Sequence, residues 1–231
     1  MSGALLAQLG WKEAALAISS VFGTTWAQYR PTGALLPWTG TLINAALPGY
    51  VTPDAYTRKP KPFDPAKPKA HAVFDPAVLA VGDYLAGSIT QGGTQEAFFV
   101  ANLQAPAPPG ATRCNAVADF TRGVVPTEFG AQPALDMQIG NETVLAQGWP
   151  ISVLREGRGE RGDTNLPSDV KLGGFICLVP LSIPTDLRSG DVLTINTWLD
   201  NPNAPGGVRL IVAMAEGGPD GWKLLAQQAT T

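Results

Sequence analysis

The stretch GDVLTIN at 190–196 opens the last part of the chain, and a similar stretch, GDYLAGSI at 82–89, stands 108 residues before it (82 to 190). Each is followed by a second apolar run ending in Val-Ala, FFVA at 98–101 and LIVA at 210–213. Glycine permits the positive φ of a sharp turn, and aspartate can accept hydrogen bonds from that turn's amides. The pattern therefore predicts two β-meanders with shared turn chemistry. A chance likeness between unrelated meanders is the alternative.

The composition favours a turn-rich β protein with few surface charges. Of 231 residues, 45% are apolar and 15% charged, against a usual quarter for charged residues. The 26 glycines and 21 prolines favour short strands and many turns. A net charge of −3 gives no general attraction to nucleic acid. Low charge is typical of a surface that partners cover.

Short apolar or alternating runs continue from Val73 onward, separated by Gly, Pro and Asn or Asp clusters, as in a β-sandwich or barrel. The expected fold is mainly β, with two related antiparallel meander or barrel modules, an N-terminal helix and an extended proline-rich arm. The predicted divisions are a helix and irregular arm at 1–57, a proline- and lysine-rich linker at 58–76, a first β-module at 77–122, a β-rich middle segment at 123–186 with a flexible loop at 155–174, and a C-terminal β-module at 187–231.

The opening segment, 1–23, is a strong helix candidate because it is rich in Ala and Leu. Its apolar surface is wider than packing on one side needs: Leu5, Leu6, Leu9, Leu16 and Ile18. Either the helix docks on its own domain, or it is an arm that packs into a neighbouring subunit. It lacks the basic start of a signal peptide, and Lys12 and Glu13 interrupt its apolar run, so we expect cytosolic synthesis and no membrane span.

The segment 58–76, RKPKPFDPAKPKAHAVFDP, alternates prolines with lysines. Proline at this spacing favours extended, polyproline-like chain. We interpret it as a linker or clamp lying on a surface; contact with phosphate or an acidic neighbour is the other interpretation. His71 is expected in a solvated loop, because no ligand-type residues flank it at metal spacing.

The sequence offers weak candidates for chemistry. GRGERG at 157–162 satisfies GxGxxG, but the following DTNLPSDVKLGG cannot begin the helix that dinucleotide binding requires. A mobile charged loop, Gly157–Asp163, explains it and the adhesion-type tripeptide RGD at 161–163. The carboxylate pairs Glu156/Glu160 and Asp163/Asp169 have nothing to fix their separation. We therefore predict no enzyme, no catalytic, cofactor-binding or metal site, and no cofactor.

Two other residue types have a structural and a functional interpretation. Cys114 and Cys177 sit inside apolar runs, and we expect both to be buried and reduced. The three tryptophans at 149, 198 and 222 either fill the core or form an aromatic platform for a carbohydrate.

The closing stretch from SGDVLTIN through GGVRLIVAMAEGGPDGWKLLAQQATT, at 189–231, resembles the end of small β-barrel tail-completion and head–tail joining proteins of tailed bacteriophages. In those proteins a Gly-Asp-led strand precedes a strand of the type apolar-Arg-apolar-x-Val, a turn and a closing strand. VFGTTWAQYRPTG at 21–33, together with VGDYLAG, AFFVANLQAP and RCNAVADFTR, is also similar to structural proteins of phages of proteobacteria. The first Gly-Asp segment departs from the pattern by the loop SITQGGTQ, and 123–186 match nothing in the family.

The resemblance implies a virion protein that forms part of a ring at the neck, tail tube or tail tip. Its partners would be copies of itself and other neck or tail proteins, such as portal, tail tube or fibre proteins. It further implies passage of DNA without sequence-specific binding, no membrane contact, synthesis in the bacterial cytoplasm and location in the virion. Head-to-tail contacts of this kind close into rings. The alternative is a β-sandwich module that binds carbohydrate or a cell surface.

Overall fold

A computed structural model describes residues 3–22, 24–39, 41–52, 68–88, 95–103, 107–123, 142–155 and 174–228. The expected fold class is confirmed, because in these ranges one N-terminal helix precedes antiparallel strands in two modules. The elements are α1 (Gly3–Phe22), β1 (Thr25–Tyr29), β2 (Leu42–Pro48), β3 (Tyr50–Thr52), β4 (Lys69–Val73), β5 (Tyr84–Gly87), β6 (Glu96–Asn102), β7 (Gly110–Cys114), β8 (Ala116–Gly123), β9 (Glu142–Arg155), β10 (Gly174–Val179), β11 (Val192–Trp198), β12 (Val208–Gly218) and β13 (Gly221–Gln228).

The second module is a closed six-stranded barrel in the order β10-β13-β12-β11-β8-β9. The long strand β9 closes it. Most of β9 pairs with β8, and its last residues, 152–155, pair with β10.

The first module is a sheet in the order β2-β1-β5-β6-β7-β4-β3. Its two end strands, β2 and β3, are separated in the chain only by Gly49 and pair with β1 and β4. The Phe74 ring occupies the space where a side chain on Gly49 would lie, since a Cβ there would be 2.2 Å from Cδ1 of that ring. Glycine therefore lets the ring lie against the backbone at this break. Taken as one strand, β2 and β3 correspond to β9, and the two modules share one circular strand order.

The correspondence between the modules extends to the register of every strand pair. Within each strand of the first module, adding a fixed number to the residue number gives the corresponding residue of the second module. The number is 92 for β1 on β8, 102 for β2 and β3 on β9, 105 for β4 on β10, 108 for β5 on β11, 112 for β6 on β12 and 115 for β7 on β13. With these shifts, each strand pairing of the first module falls on a pairing of the second wherever the counterpart is described. Chance likeness does not account for this agreement.

The irregularities of the sheets repeat as well. The β6–β7 pairing skips Ala101, and the β12–β13 pairing skips its counterpart Ala213. The Val-Ala that ends both apolar runs in the sequence is therefore the site of a β-bulge, which increases strand twist locally. The register shifts of β1–β2 also reappear at the corresponding positions of β8–β9.

The interiors of the modules correspond position by position. Eleven buried residues form the core of the first module: Trp26, Leu47, Val51, Ala70, Ala72, Phe74, Leu79, Leu85, Phe98, Val100 and Ala111. Nine of these described residues lie on strands, and by the shifts above each of the nine has a counterpart that belongs to the core of the second module or packs against it. The same interior is thus built twice from different side chains.

The strands extend well beyond the two meanders that the sequence pattern identifies. Residues 1–57, for which the sequence favours a helix and an irregular arm, contain α1 and β1 to β3. The middle segment 123–186 contributes β9 and β10 to the barrel, and β4 lies within the predicted linker 58–76. Positions 58–67 of that linker lie outside the described residues.

Candidate interaction surfaces

The Gly-Asp turn before β5 is held by an ion pair from a distant strand. The buried carboxylate of Asp83 accepts hydrogen bonds from Nε and Nη2 of Arg30, both at 2.7 Å. Its Oδ2 also accepts from the backbone N–H of Ala80 at 2.8 Å and from Nε2 of Gln28 at 2.7 Å. The turn passes through Gly82 at φ 87°. These bonds satisfy the carboxylate and fix the turn.

The same arrangement recurs before β11. Asp191 accepts from Nε and Nη2 of Arg122 at 2.7 and 2.9 Å and from the backbone N–H of Arg188 at 2.8 Å, next to Gly190 at φ 90°. The hydrogen bond to the aspartate raises the pKa of the arginine in both modules. The predicted turn chemistry is confirmed, and the two arginines are the partners that sequence reasoning missed.

A segment of the first module adds to the edge of β9 in the second. Leu36 N–H donates to the Gln147 carbonyl at 2.8 Å, and Gln147 N–H donates to the Ala34 carbonyl at 2.9 Å. Leu35 forms a parallel bridge with Gln147 between these bonds. Nε1 of Trp149 also donates to the Ala34 carbonyl, at 2.7 Å. This short strand ties the two modules together through backbone hydrogen bonds.

An aromatic cluster around Tyr84 forms the junction between the modules. The Tyr84 hydroxyl donates to the Pro150 carbonyl at 2.8 Å. Its ring stacks on Trp38 at 5.4 Å between centroids and lies 6.2 Å from Trp149 and 6.5 Å from Phe99. Complete burial raises the pKa of Tyr84 well above its usual value. The junction is therefore an apolar core in which the Tyr84 hydroxyl and the Trp149 Nε1–H both have hydrogen-bond acceptors.

We call the outward side of the three meander strands the meander face of each module: β5, β6 and β7 in the first, β11, β12 and β13 in the second. The meander face of the first module is buried and belongs to the same apolar cluster as the core of the second. At corresponding positions, Phe99 of the first module is 1% exposed and Ile211 of the second is 44% exposed. One meander face is covered, and its counterpart is open.

We call the outward side of β2, β3 and β4, and of β9 and β10, the closing face of each module. The closing face of the second module packs on the first, since β7 lies against β9 and Pro150 and Ser152 are buried. The closing face of the first module is covered by α1, which lies against β2, β3 and β4 and buries Ala15. The helix docks on its own chain in this structure, and its packing onto a neighbouring subunit stays a prediction.

Five large apolar side chains stand exposed on β2, on β9 and on the segment 34–36 that bonds to β9. We call this group the apolar edge: Leu35, Leu36, Leu42, Ile43 and Val144. Leu42 and Val144 occupy corresponding positions, because the 102-residue shift maps one onto the other, and they are 52% and 55% exposed. The repeat therefore exposes an apolar side chain at the same point of both modules.

The residues that the sequence offered as candidates for chemistry or for carbohydrate binding have the following positions. The loop Gly157–Asp163 and the carboxylate pairs lie outside the described residues. The expectation of a loop for His71 is wrong, because this residue is half-buried on β4, between β3 and β7. Trp149 is fully buried, and Trp198 and Trp222 are half-buried against the core.

Both cysteines are free and buried, as expected. Cys177 lies inside the barrel, and burial raises its pKa to about 12. Cys114 lies on the meander face of the first module, and burial raises its pKa as well. A raised pKa keeps each thiol protonated and unreactive near neutrality.

Within the described ranges, the side chains of His, Cys, Asp and Glu do not gather into a group of three or more that could hold a metal ion. Over the same ranges, no helix is long and apolar enough to cross a membrane. Comparison with known proteins finds no matching family model, no matching curated protein and no matching solved structure.

Proposed function

We propose that this chain is a structural component of a tailed-phage virion, forming part of a neck or tail ring through contacts between subunits. The duplicated exposure of Leu42 and Val144 carries the proposal. Large apolar side chains left in water lose the free energy that burial would contribute. A partner that covers them recovers it. A pair at matching points of two joined modules suits a partner that contacts both modules at once.

The junction supports the same function mechanically. A ring wall must transmit load without changing shape, and here backbone hydrogen bonds, the Tyr84 cluster and an ion pair join the modules. Arg113 contributes the ion pair, bonding Glu96 within its own module and Asp200 of the second. Such a junction makes the two modules one stiff unit.

In the proposed assembly, the apolar edge contacts the next protein along the axis, a portal, tail tube or fibre protein. DNA passes the ring without sequence-specific contacts. The subunit works by shape.

The test uses a phage genome from which the gene is deleted and is supplied in trans. We expect antibodies against the wild-type chain to label the neck or tail of purified particles. The double variant Leu42→Glu/Val144→Glu should fold but reduce incorporation at least tenfold. Val21→Glu is the matched control, because it charges an exposed apolar residue outside the apolar edge.

Particles that form normally and never contain the chain would rule out the proposed function. A glycan-array signal that Trp222→Ala abolishes in a folded protein would instead favour the carbohydrate-binding module.

A further inference from the structure

The internal repeat shows how an open face of this molecule is covered. The meander face of the first module packs on the closing face of the second within one chain. The meander face of the second module has the same strands in the same register, yet it is exposed. We propose that this face binds the α1-covered closing face of the first module in a second copy of the chain, head to tail. The inference deepens the proposed function and rests on it only for the place of the assembly in a virion.

The open meander face has an apolar centre flanked by both signs of charge. Ile211 and Met214 are exposed on β12, and Leu225 is half-buried beside them on β13. Glu216 and Lys223, both exposed, stand opposite each other on the same pair of strands. An apolar patch with a polar rim is the usual anatomy of a protein interface.

The helix α1 presents a matching surface. Leu9 and Leu16, two helical turns apart, lie on one side of the helix and are 46% and 45% exposed. Lys12 and Glu13, both exposed, lie between them in sequence. In the proposed contact the two leucines pack against Ile211 and Met214. Each partner then places one positive and one negative side chain at the rim of the contact. Opposite charges can pair there and fix how the two surfaces align.

The proposed contact joins two different surfaces, so it is heterologous. A bound pair keeps a free helix on one copy and a free meander face on the other, so assembly continues until a ring closes or a filament forms. The contact also repeats the order already present inside the chain, where the meander face of the first module meets the closing face of the second. Between copies, α1 lies on the closing face that is met.

The decisive experiment is complementation between two variants of the full chain, followed by sedimentation velocity over a range of protein concentrations. Ile211→Glu blocks the meander face and leaves the helix intact, whereas Leu16→Glu blocks the helix and leaves the meander face intact. We expect wild type to assemble, and each variant alone to associate at least tenfold more weakly. A mixture of the two variants should form a dimer and nothing larger, because one unmodified interface remains between them.

Two controls separate this contact from general stickiness. Val78→Glu and Leu181→Glu charge exposed apolar residues that lie off α1 and off β11 to β13, and both should assemble as wild type does. Circular dichroism and urea unfolding must show that every variant is folded. Wild type that stays monomeric, controls that lose association equally, or a mixture that stays monomeric would each overturn the proposal.

The outcome is separable from that of the proposed function. Assembly in solution with no chain in particles leaves the head-to-tail contact standing and removes the virion role. If the chain is found in particles but does not self-associate in solution, the virion role stands and the head-to-tail contact is removed.

Discussion

Trp26 and Trp149 fill corresponding sites in the two modules from opposite strands of one cross-strand pair. In the first module Trp26 on β1 faces Leu47 on β2, and in the second Ala118 on β8 faces Trp149 on β9. The shifts of 92 and 102 residues make Trp26 the counterpart of Ala118, and Leu47 the counterpart of Trp149. A large side chain is needed once per pair, and either strand can supply it.

This relationship predicts that the tryptophan of the first module can be moved. Trp26→Ala should lower the free energy of unfolding by about 3–5 kcal/mol, because it leaves a cavity. Adding Leu47→Trp should recover about half of the loss, since it recreates the pair of the second module. Urea unfolding of both single variants and the double variant measures the coupling. A double variant as unstable as the sum of its parts would contradict the interchange.

The arginine of each Gly-Asp turn should matter far more than an ordinary surface arginine. Arg122→Met leaves the buried carboxylate of Asp191 without its counter-charge, and we expect a loss of about 3 kcal/mol in unfolding free energy. Arg209→Met is the control, because its ion pair with Glu142 is only partly buried and should be worth about 1 kcal/mol or less. Equal losses in urea unfolding would show that burial of the aspartate is irrelevant.

The two turn glycines should differ in cost despite matching φ values. Gly190→Ala has open space around the new Cβ, so we expect only the strain of positive φ, about 1–2 kcal/mol. Gly82→Ala places its Cβ 2.5 Å from Cβ of Ser182 in the second module and should cost about 2 kcal/mol more.

The additional loss of unfolding free energy in Gly82→Ala should become smaller when Ser182→Gly is added, because Ser182→Gly removes the Cβ that clashes. Thermal or urea unfolding of the three variants gives the comparison. If the double variant loses as much unfolding free energy as Gly82→Ala alone, the loss does not come from the contact between the modules.

Stability should fall on the alkaline side. Burial raises the pKa of Cys177 from 9.0 to about 12 and that of Tyr84 above 10.0, so above pH 9 the unfolded chain binds fewer protons than the folded one. The stabilisation is complete below pH 9 and is lost as the pH rises towards 12, by up to about 1.4 kcal/mol per pH unit for each group. Urea unfolding between about pH 8 and pH 10 measures the slope.

Cys177→Ala should remove the contribution of one titrating group to the change of unfolding free energy with pH. Tyr84→Phe should reduce that change further near pH 10. A thiol reagent should label both cysteines only on unfolding. Unfolding free energy that is flat across the range, or rapid labelling of the folded chain, would contradict the burial of these groups.

The turn residues were predictable from sequence, whereas their partners were not. Gly82-Asp83 and Gly190-Asp191 are local signals, because a turn is encoded by adjacent residues. Arg30 lies more than fifty residues before Asp83, and no spacing rule connects them. In hindsight Arg30 directly follows β1 and Arg122 lies near the end of β8, at corresponding positions in AQYR and DFTR, and this shared ending was the one available signal.

The strands β2 and β4 were not predictable from the sequence, for a different reason. A half-buried strand shows alternating polarity, but β2 exposes Leu42 and Ile43 side by side, and the alternation is lost. The strand β4 lies in a segment where proline and lysine dominate the composition. Its pairing with β3 and β7 is a long-range property that composition does not carry.

The sequence by itself determined the meander that occurs twice, because turn chemistry and period-two patterning act between near neighbours along the chain. Only the tertiary structure decided how each meander closes with β1 to β4, or with β8 to β10, and which of its faces is buried. Phe99 and Ile211 show the difference, since both are apolar residues on the same side of corresponding strands. One is covered because the second module packs on it within the chain, whereas none of the residues that the structure describes buries the other.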